Sequence, residues 1–343
     1  MSTSAITPLS ISPSGQGDEV QTPSLHQKDN DKVPWSPEIW QAIHRNVHDQ
    51  TLKVQVGANF LPHRLVHPKT TIVNADQITF KQLDGSLGSY TLVSDEGSSY
   101  RMLEIPVEFA MTTQHVHETS VATNPEHTIA FTLAGRAAMH LAKAVDLVIH
   151  QGKAAYSNPS FTGSVRSSSA LVPPLDGGLL SLDGTGPFVS SNTPVQVHPL
   201  TKGSGTYGEK TLTGLTQGIA ALTLAGYSGP YAFVVDTAIY ADTHAAVGNG
   251  SLVMTADRIV PLVTAGYFGT NAVRPVTPPD GTSFHGVLVA TGGRPVDLTI
   301  GLPPTTAFIQ QDPSQLWRFR VVQRFLHRVL DNSGFVRIDF MTE

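Results

Sequence analysis

Apolar residues recur along this chain with two different periods, and the changes between them mark out its elements. Ser36-Pro37-Glu38 is a helix start, with a hydroxyl cap, a proline at the first helical position and a carboxylate favourable to the helix dipole. Ile39, Ile43 and Val47 then follow at four-residue steps with Trp40 beside them, which predicts an amphipathic helix. From Val66 to Met102 short β-prone pieces, Thr71–Val73, Gln77–Phe80 and Tyr90–Val93, are separated by Asp84-Gly85 and Gly88, the pattern of a long hairpin. Leu103–Phe109 reads as a further strand. His127–Gly152 predicts the longest helix, with Ile129, Leu133, Ala137, Leu141, Val145 and Val148 on one side and glycine at its end.

Between Lys153 and Tyr207 the chain turns rich in Gly, Ser, Pro and Thr, and a surface loop or local β-insertion is expected. Thr213–Leu224 predicts a helix. Tyr231–Val235 is a continuous apolar run after Gly229-Pro230, hence a buried strand. Thr237–His244 predicts a helix that Gly248-Asn249-Gly250 stops, and Leu252–Val263 a helical stretch broken at Pro261. Strands are expected at Gly286–Gly293, Val296–Gly301, Trp317–Leu326 and Phe335–Phe340, the last two alternating apolar with charged residues. Residues 1–34 are polar and proline-rich, too poor in apolar groups to offset their ordering entropy, and read as a free tail or as an arm that orders against a neighbour.

Composition narrows the class. In 343 residues there is room for a full core, yet only 14% are charged, well under the usual quarter, which points to extensive protein contacts. A net charge of -5 without clustered Lys or Arg gives no general case for nucleic-acid binding, and none is expected. The absence of cysteine excludes disulfides, thiolate metal sites and cysteine nucleophiles. Neither a signal-peptide pattern nor an apolar run of about 20 residues occurs, so the reading is a soluble, cytoplasmic chain without a membrane partner. His115 and His117, read as two positions on one strand face, with Glu118 and His127 nearby, form the best metal candidate. No HExxH partner follows, so a polar loop before the long helix is favoured and no metal is expected. No nucleophile elbow, phosphate loop or dinucleotide fingerprint is present, and a catalytic role is not expected.

One set of words goes further. Gly229-Pro230-Tyr231-Ala232 leads into a strand and then a helix holding Tyr240 and His244. Val287-Leu288-Val289-Ala290-Thr291-Gly292-Gly293 is followed by Asp297-Leu298, and Phe319-Arg320-Val321 precedes the terminus. This series resembles the encapsulins, shell proteins that share the major-capsid fold of tailed phages, most strongly from about Thr213 onward. The resemblance implies an α+β fold of the tailed-phage major-capsid type. In that scheme residues 1–34 are an arm, 35–60 an N-terminal helix, 61–105 an extended hairpin loop, and 106–207 a peripheral domain with a spine helix and an insertion. Residues 208–290 are an axial domain and 291–343 return strands of the peripheral domain.

It also implies an icosahedral homo-oligomer that encloses a cargo protein, such as a peroxidase or ferritin-like protein, through a targeting peptide. The residues expected to hold that peptide are Ile39, Trp40, Ile43, Val47, Leu298 and Ile300, although the same stripe equally suits packing within the chain. Val247, Gly248, Asn249, Gly250 and Ser251 are expected to line a nearly uncharged five-fold pore. Some encapsulins bind flavin through a tryptophan near the position of Gln114; no aromatic stands there, and no cofactor is expected. A tailed-phage major capsid protein is the alternative, and a metal-dependent enzyme a distant third.

Overall fold

The computed structural model describes residues 30–82, 90–95, 98–158, 161, 177–181, 190–202, 204, 206–245, 253–274 and 282–342. In chain order, α1 (Pro37–Val54) and the single turn α2 (Gly57–Phe60) precede β1 (His63–Leu65), β2 (Ile72–Asn74), β3 (Gln77–Gln82), β4 (Tyr90–Asp95), β5 (Ser99–Arg101) and β6 (Leu103–Thr112). Next come α3 (Thr113–Ser120), α4 (Ile129–Gln151), β7 (Val195–Val197), α5 (Glu209–Leu224), β8 (Tyr231–Val235), α6 (Thr237–His244) and α7 (Thr255–Ile259). The chain closes with β9 (Gly266–Gly269), β10 (Thr282–Ala290), β11 (Val296–Gln311), β12 (Leu316–Val329) and β13 (Phe335–Met341).

Two main sheets organise these elements. One has the order β1-β11-β12-β6, the other β7-β13-β10-β8-β9, and the pairs β2-β5 and β3-β4 form a projecting ribbon. Helices α1 and α4 lie side by side on the four-stranded sheet. The Asn46 amide donates to the Phe131 carbonyl at 2.8 Å, and the Asp146 carboxylate accepts from Val56 and Gly57 at 2.7 and 2.9 Å, so the two helices run in the same direction. The five-stranded sheet is buried on both faces. Ala232, Val234, Val287 and Val289 face the core under α1 and α4, while Phe233, Val235, Leu288 and Ile338 face a second core under α5, α6 and α7. That double burial is why β8 reads as an unbroken apolar run.

Several local expectations are met and others need correction. Ser36 accepts from the Ile39 amide at the start of α1, and Gly152 ends α4 at φ +56°. The helical stretch before Val263 breaks into α7 and a 3-10 turn over Val260–Leu262, around Pro261. β11 continues ten residues past Gly301 to Gln311, carrying Pro303 and Pro304. Along these residues its one strand neighbour among the described residues is β12, so the missing proline donors cost no described ladder bond on the other side. His115 and His117 lie on helix α3, not on a strand, because the Thr112 hydroxyl caps that helix by accepting from the His115 amide.

Arg337 and Asp339 are interleaved with the apolar residues of β13, and both are buried with the rest of it. They pair with each other at 2.6 Å, and His285 on β10 meets Asp339 at 2.8 Å. The segment 291–343 therefore contributes β11 and β12 to one sheet and β13 to the other. The turn of the predicted hairpin, with Asp84, Gly85 and Gly88, lies outside the described residues; its legs, β3 and β4, pair in antiparallel register.

Candidate functional site

Of the six residues expected to form a peptide groove, Ile39, Trp40, Ile43 and Val47 lie along α1 and Leu298 and Ile300 near the start of β11. Trp40 sits by Phe319, the partner of Phe308, whereas Leu298 pairs with His327, eight residues further along β12, so the two sets are not brought together. Ile39, Ile43 and Val47 point down from α1 and are at most 4% exposed; Leu298 is fully buried and Ile300 nearly so. In a single chain five of the six are therefore core. Trp40 is the exception, half-buried at the rim, 4.9 Å from the Trp35 ring and 5.9 Å from the His44 ring. Beneath it the buried Trp35 stacks on Phe319 at 5.0 Å and donates its indole N–H to the Val116 carbonyl at 3.1 Å. The entry segment is thus plugged into the sheet before α1 begins, and Asn30 accepts from the Phe308 amide on β11 at 2.9 Å.

Around α3, His115, Glu118, Asn124 and His127 line an open cavity of about 320 Å³ together with small and threonine side chains. Gln114 donates to Glu118 at 2.8 Å, and the His117 side chain does not line the cavity. Among the described residues no group of three His, Asp or Glu side chains is placed to hold a metal ion. Val247, Gly248, Asn249, Gly250 and Ser251, the expected pore residues, lie outside the described residues. The helix before them in the chain, α6, is capped by Asp236, which is fully buried and bidentate to Arg274 at 2.9 Å.

Sequence reasoning missed a buried polar cluster at the end of α4. His150 and His327, on α4 and β12, are both fully buried, and Asp146 lies one turn before His150. The His150 Nδ1 bonds the Asp146 carbonyl at 2.8 Å. Residues 177–180 pass over this point, with Leu179 and Leu180 donating to the Ile149 and His150 carbonyls at 3.0 and 2.8 Å. A β-carbon on Gly178 would stand 2.4 Å from the Gly152 nitrogen, so only glycine allows the crossing. Burial pushes both imidazoles down to about 4, with repulsion from His150 adding to the shift of His327, and it pushes the Asp146 carboxyl up to about 7. No spacing rule links Asp146, His150 and His327 in the sequence, since the pairing is made by the sheet.

The architecture is shared with known proteins. Residues 193–325 match the family described as the encapsulating protein for peroxidase. No curated protein sequence matches the chain. Among solved structures, the virus-like particle from Pyrococcus furiosus matches at 12% identity over 88% of this chain and 99% of its own, with a TM-score of 0.57. The chain has a tailed-phage capsid fold, and its residues 193–325 match an encapsulating-protein family. The capsid of Myoviridae phage XM1 also matches, at 12% identity over 84% of this chain and 92% of its own, with a TM-score of 0.51. The SrpI encapsulin complex from Synechococcus elongatus gives 13% identity, coverages of 86% and 88%, and a TM-score of 0.49. The encapsulin-type match runs from β7 into β12, and so takes in the Gly-Pro-Tyr strand β8 and the Val-Leu-Val strand β10. Helix α1 and the projecting ribbon lie before it.

Proposed function

We propose that this chain is the self-assembling protomer of a closed icosahedral shell that encloses a cargo protein held through a short targeting peptide. The observation that carries the reading is the encapsulating-protein match over residues 193–325, lying within a capsid fold that spans most of the chain. Two features of the surface support it. No charged residue occurs from Thr211 to Val235, and Leu224, Val253 and Val260, on or beside α5 and α7, are at least half exposed. A neighbouring copy would cover such exposed apolar side chains. The ribbon β3-β4 is too small to be stable alone and is suited to lie across another copy. The loop 247–251 is assigned to the pore at the five-fold axis as part of the same proposal.

Electron microscopy of the protein expressed alone, beside the protein co-expressed with its genomic neighbours, tests the reading. Uniform hollow particles in the first sample and filled ones in the second are expected. A monodisperse small oligomer would reduce the likeness to one of fold. The second reading, a tailed-phage major capsid protein, is favoured by the match to phage XM1; a genomic neighbourhood with portal and protease genes would select it.

For the cargo peptide, Trp40 is the accessible residue of the expected set, over Trp35 and Phe319, while Ile39, Ile43 and Val47 are buried on the same helix and Leu298 and Ile300 are buried further along the sheet. Aspartate at Ile43 would disrupt the core itself, so Trp40→Ala is the cleaner probe. Cargo per shell should fall at least about tenfold while the particles persist, a loss typical of removing one buried aromatic anchor. Unchanged loading, read by gel densitometry of purified particles, would move the peptide site elsewhere.

A further inference from the structure

We propose that the solvent face of the α1–α4 layer binds the phosphodiester backbone of a nucleic acid, without reading its bases. The inference stands apart from the shell reading and rests on how charge is distributed. Arg64, Arg258, Arg274, Arg318, Arg324, Arg328 and Arg337 are each ion-paired to a carboxylate. Arg45 and Lys53 on α1 and Arg136 and Lys143 on α4 are exposed and form no ion pair with any described residue. A net charge of -5 averages over this face and conceals it.

The four cations are arranged as a grid. Because α1 and α4 run in the same direction, Arg45 and Lys53 lie about 12 Å apart along one axis and Arg136 and Lys143 about 10 Å apart along the other. Packed helix axes are separated by about 8–10 Å. Asp49 is the one exposed carboxylate among them, while Glu38 and Glu126 stand back at the N-terminal ends of the helices. The local balance is therefore positive by about three charges over a patch comparable with two or three nucleotides. His48 and His140 are exposed on the same face.

This chemistry suits a nucleic acid better than an acidic protein. A protein partner needs an apolar, shaped centre to its interface, and the two helices offer only the scattered Leu52, Ile129 and Met139, which are 42%, 38% and 38% exposed. A regularly charged polymer needs no such centre. The aromatic residues of the two helices, Trp40 and Phe131, are partly buried and none is fully exposed beside the four cations, so base stacking contributes little and sequence should not matter.

The test uses the full chain, dissociated and reassembled in the presence of fluorescein-labelled 20-nucleotide DNA, so that either wall of a particle is reachable. Bound DNA is read by co-sedimentation between 50 and 200 mM salt. Displacing about three counterions from a single strand gives a slope of about -2 in log K against log salt, hence roughly 16-fold weaker binding across that range. Two unrelated sequences should bind alike. Arg136→Glu with Lys143→Glu should lower affinity at least about tenfold, whereas Lys69→Glu with Arg294→Glu, the same change in net charge placed elsewhere, should leave it unchanged. Equal losses in both double variants, or tighter binding of poly-glutamate than of DNA, would overturn the proposal. Electron microscopy of the same samples keeps the two readings apart. Particles without DNA would overturn this inference and leave the shell, and DNA on small oligomers would do the reverse.

Discussion

Arg328→Met is expected to destabilise the protomer by about 3–5 kcal/mol, because it strands a buried carboxylate. Arg328 is 4% exposed on β12 and grips Asp297, its register partner on β11, through both the Nε and one Nη. Its other Nη donates to Asp76 at 2.6 Å and to the Asn74 carbonyl at 3.2 Å. Asp76, at φ +50°, is the turn from which the projecting ribbon leaves the body of the protein. One guanidinium therefore closes the four-stranded sheet and fixes the root of the ribbon. Among the described residues Asp297 has only the Thr299 hydroxyl, at 3.3 Å, as a further side-chain partner, too little to satisfy its charge once the arginine is gone. Adding Asp297→Leu removes the orphaned charge and should recover most of the loss. Urea denaturation followed by tryptophan fluorescence measures both variants. A loss under about 1 kcal/mol for Arg328→Met would show that the pair contributes no more than a surface bridge.

Stability should peak near pH 6.5 and fall by about 3 kcal/mol on acidification to pH 4, as the cluster at the end of α4 takes up protons. Free imidazole titrates at 6.5, whereas His150 and His327 are held at about 4. Their contribution is complete above 6.5 and is lost as pH falls toward 4. Asp146 works in the opposite sense. Its free value of 3.8 is raised to about 7, so its contribution is complete below 3.8 and is lost as pH rises through 7.

Between pH 6.5 and 4 the unfolded chain binds two histidine protons and the folded chain one carboxyl proton. The difference of one proton costs about 1.4 kcal/mol per pH unit. Asp146→Asn should double that slope, and His327→Phe should nearly flatten it. His44, also lowered by burial, adds to the acid loss in the same direction. Urea midpoints measured across this range decide the matter, and a wild-type curve flat from pH 6.5 to 4 would rule the cluster out as the source.

Elements whose pattern follows from local chemistry were legible in the sequence. The cap and proline at Ser36-Pro37, the stripe of α4 with its terminal Gly152, and the apolar run of β8 each determine an element by themselves. What failed depended on partners remote in sequence. The alternation at Arg337 and Asp339 does not disclose their burial until His285 arrives from β10, and His115-x-His117 looks like a strand until Thr112 caps a helix. The candidate peptide site shows the deeper limit. A stripe of Ile39, Ile43 and Val47 has the same pattern whether it lines a groove or fills a core, and only burial within the fold distinguishes the two uses.

The route of the chain between its sheets has a further consequence. It contributes β1 and β6 to the four-stranded sheet, β7 to β10 to the five-stranded one, β11 and β12 to the first again, and β13 to the second. No single cut between β1 and β13 separates the molecule into fragments that each keep whole sheets. A protease that nicks the chain between Ala290 and Val296, for instance, leaves β10 on one piece and its hydrogen-bonded neighbour β13 on the other. Nicked protomers would stay joined through strand pairing, so a wall built from them would tolerate broken backbones without shedding pieces.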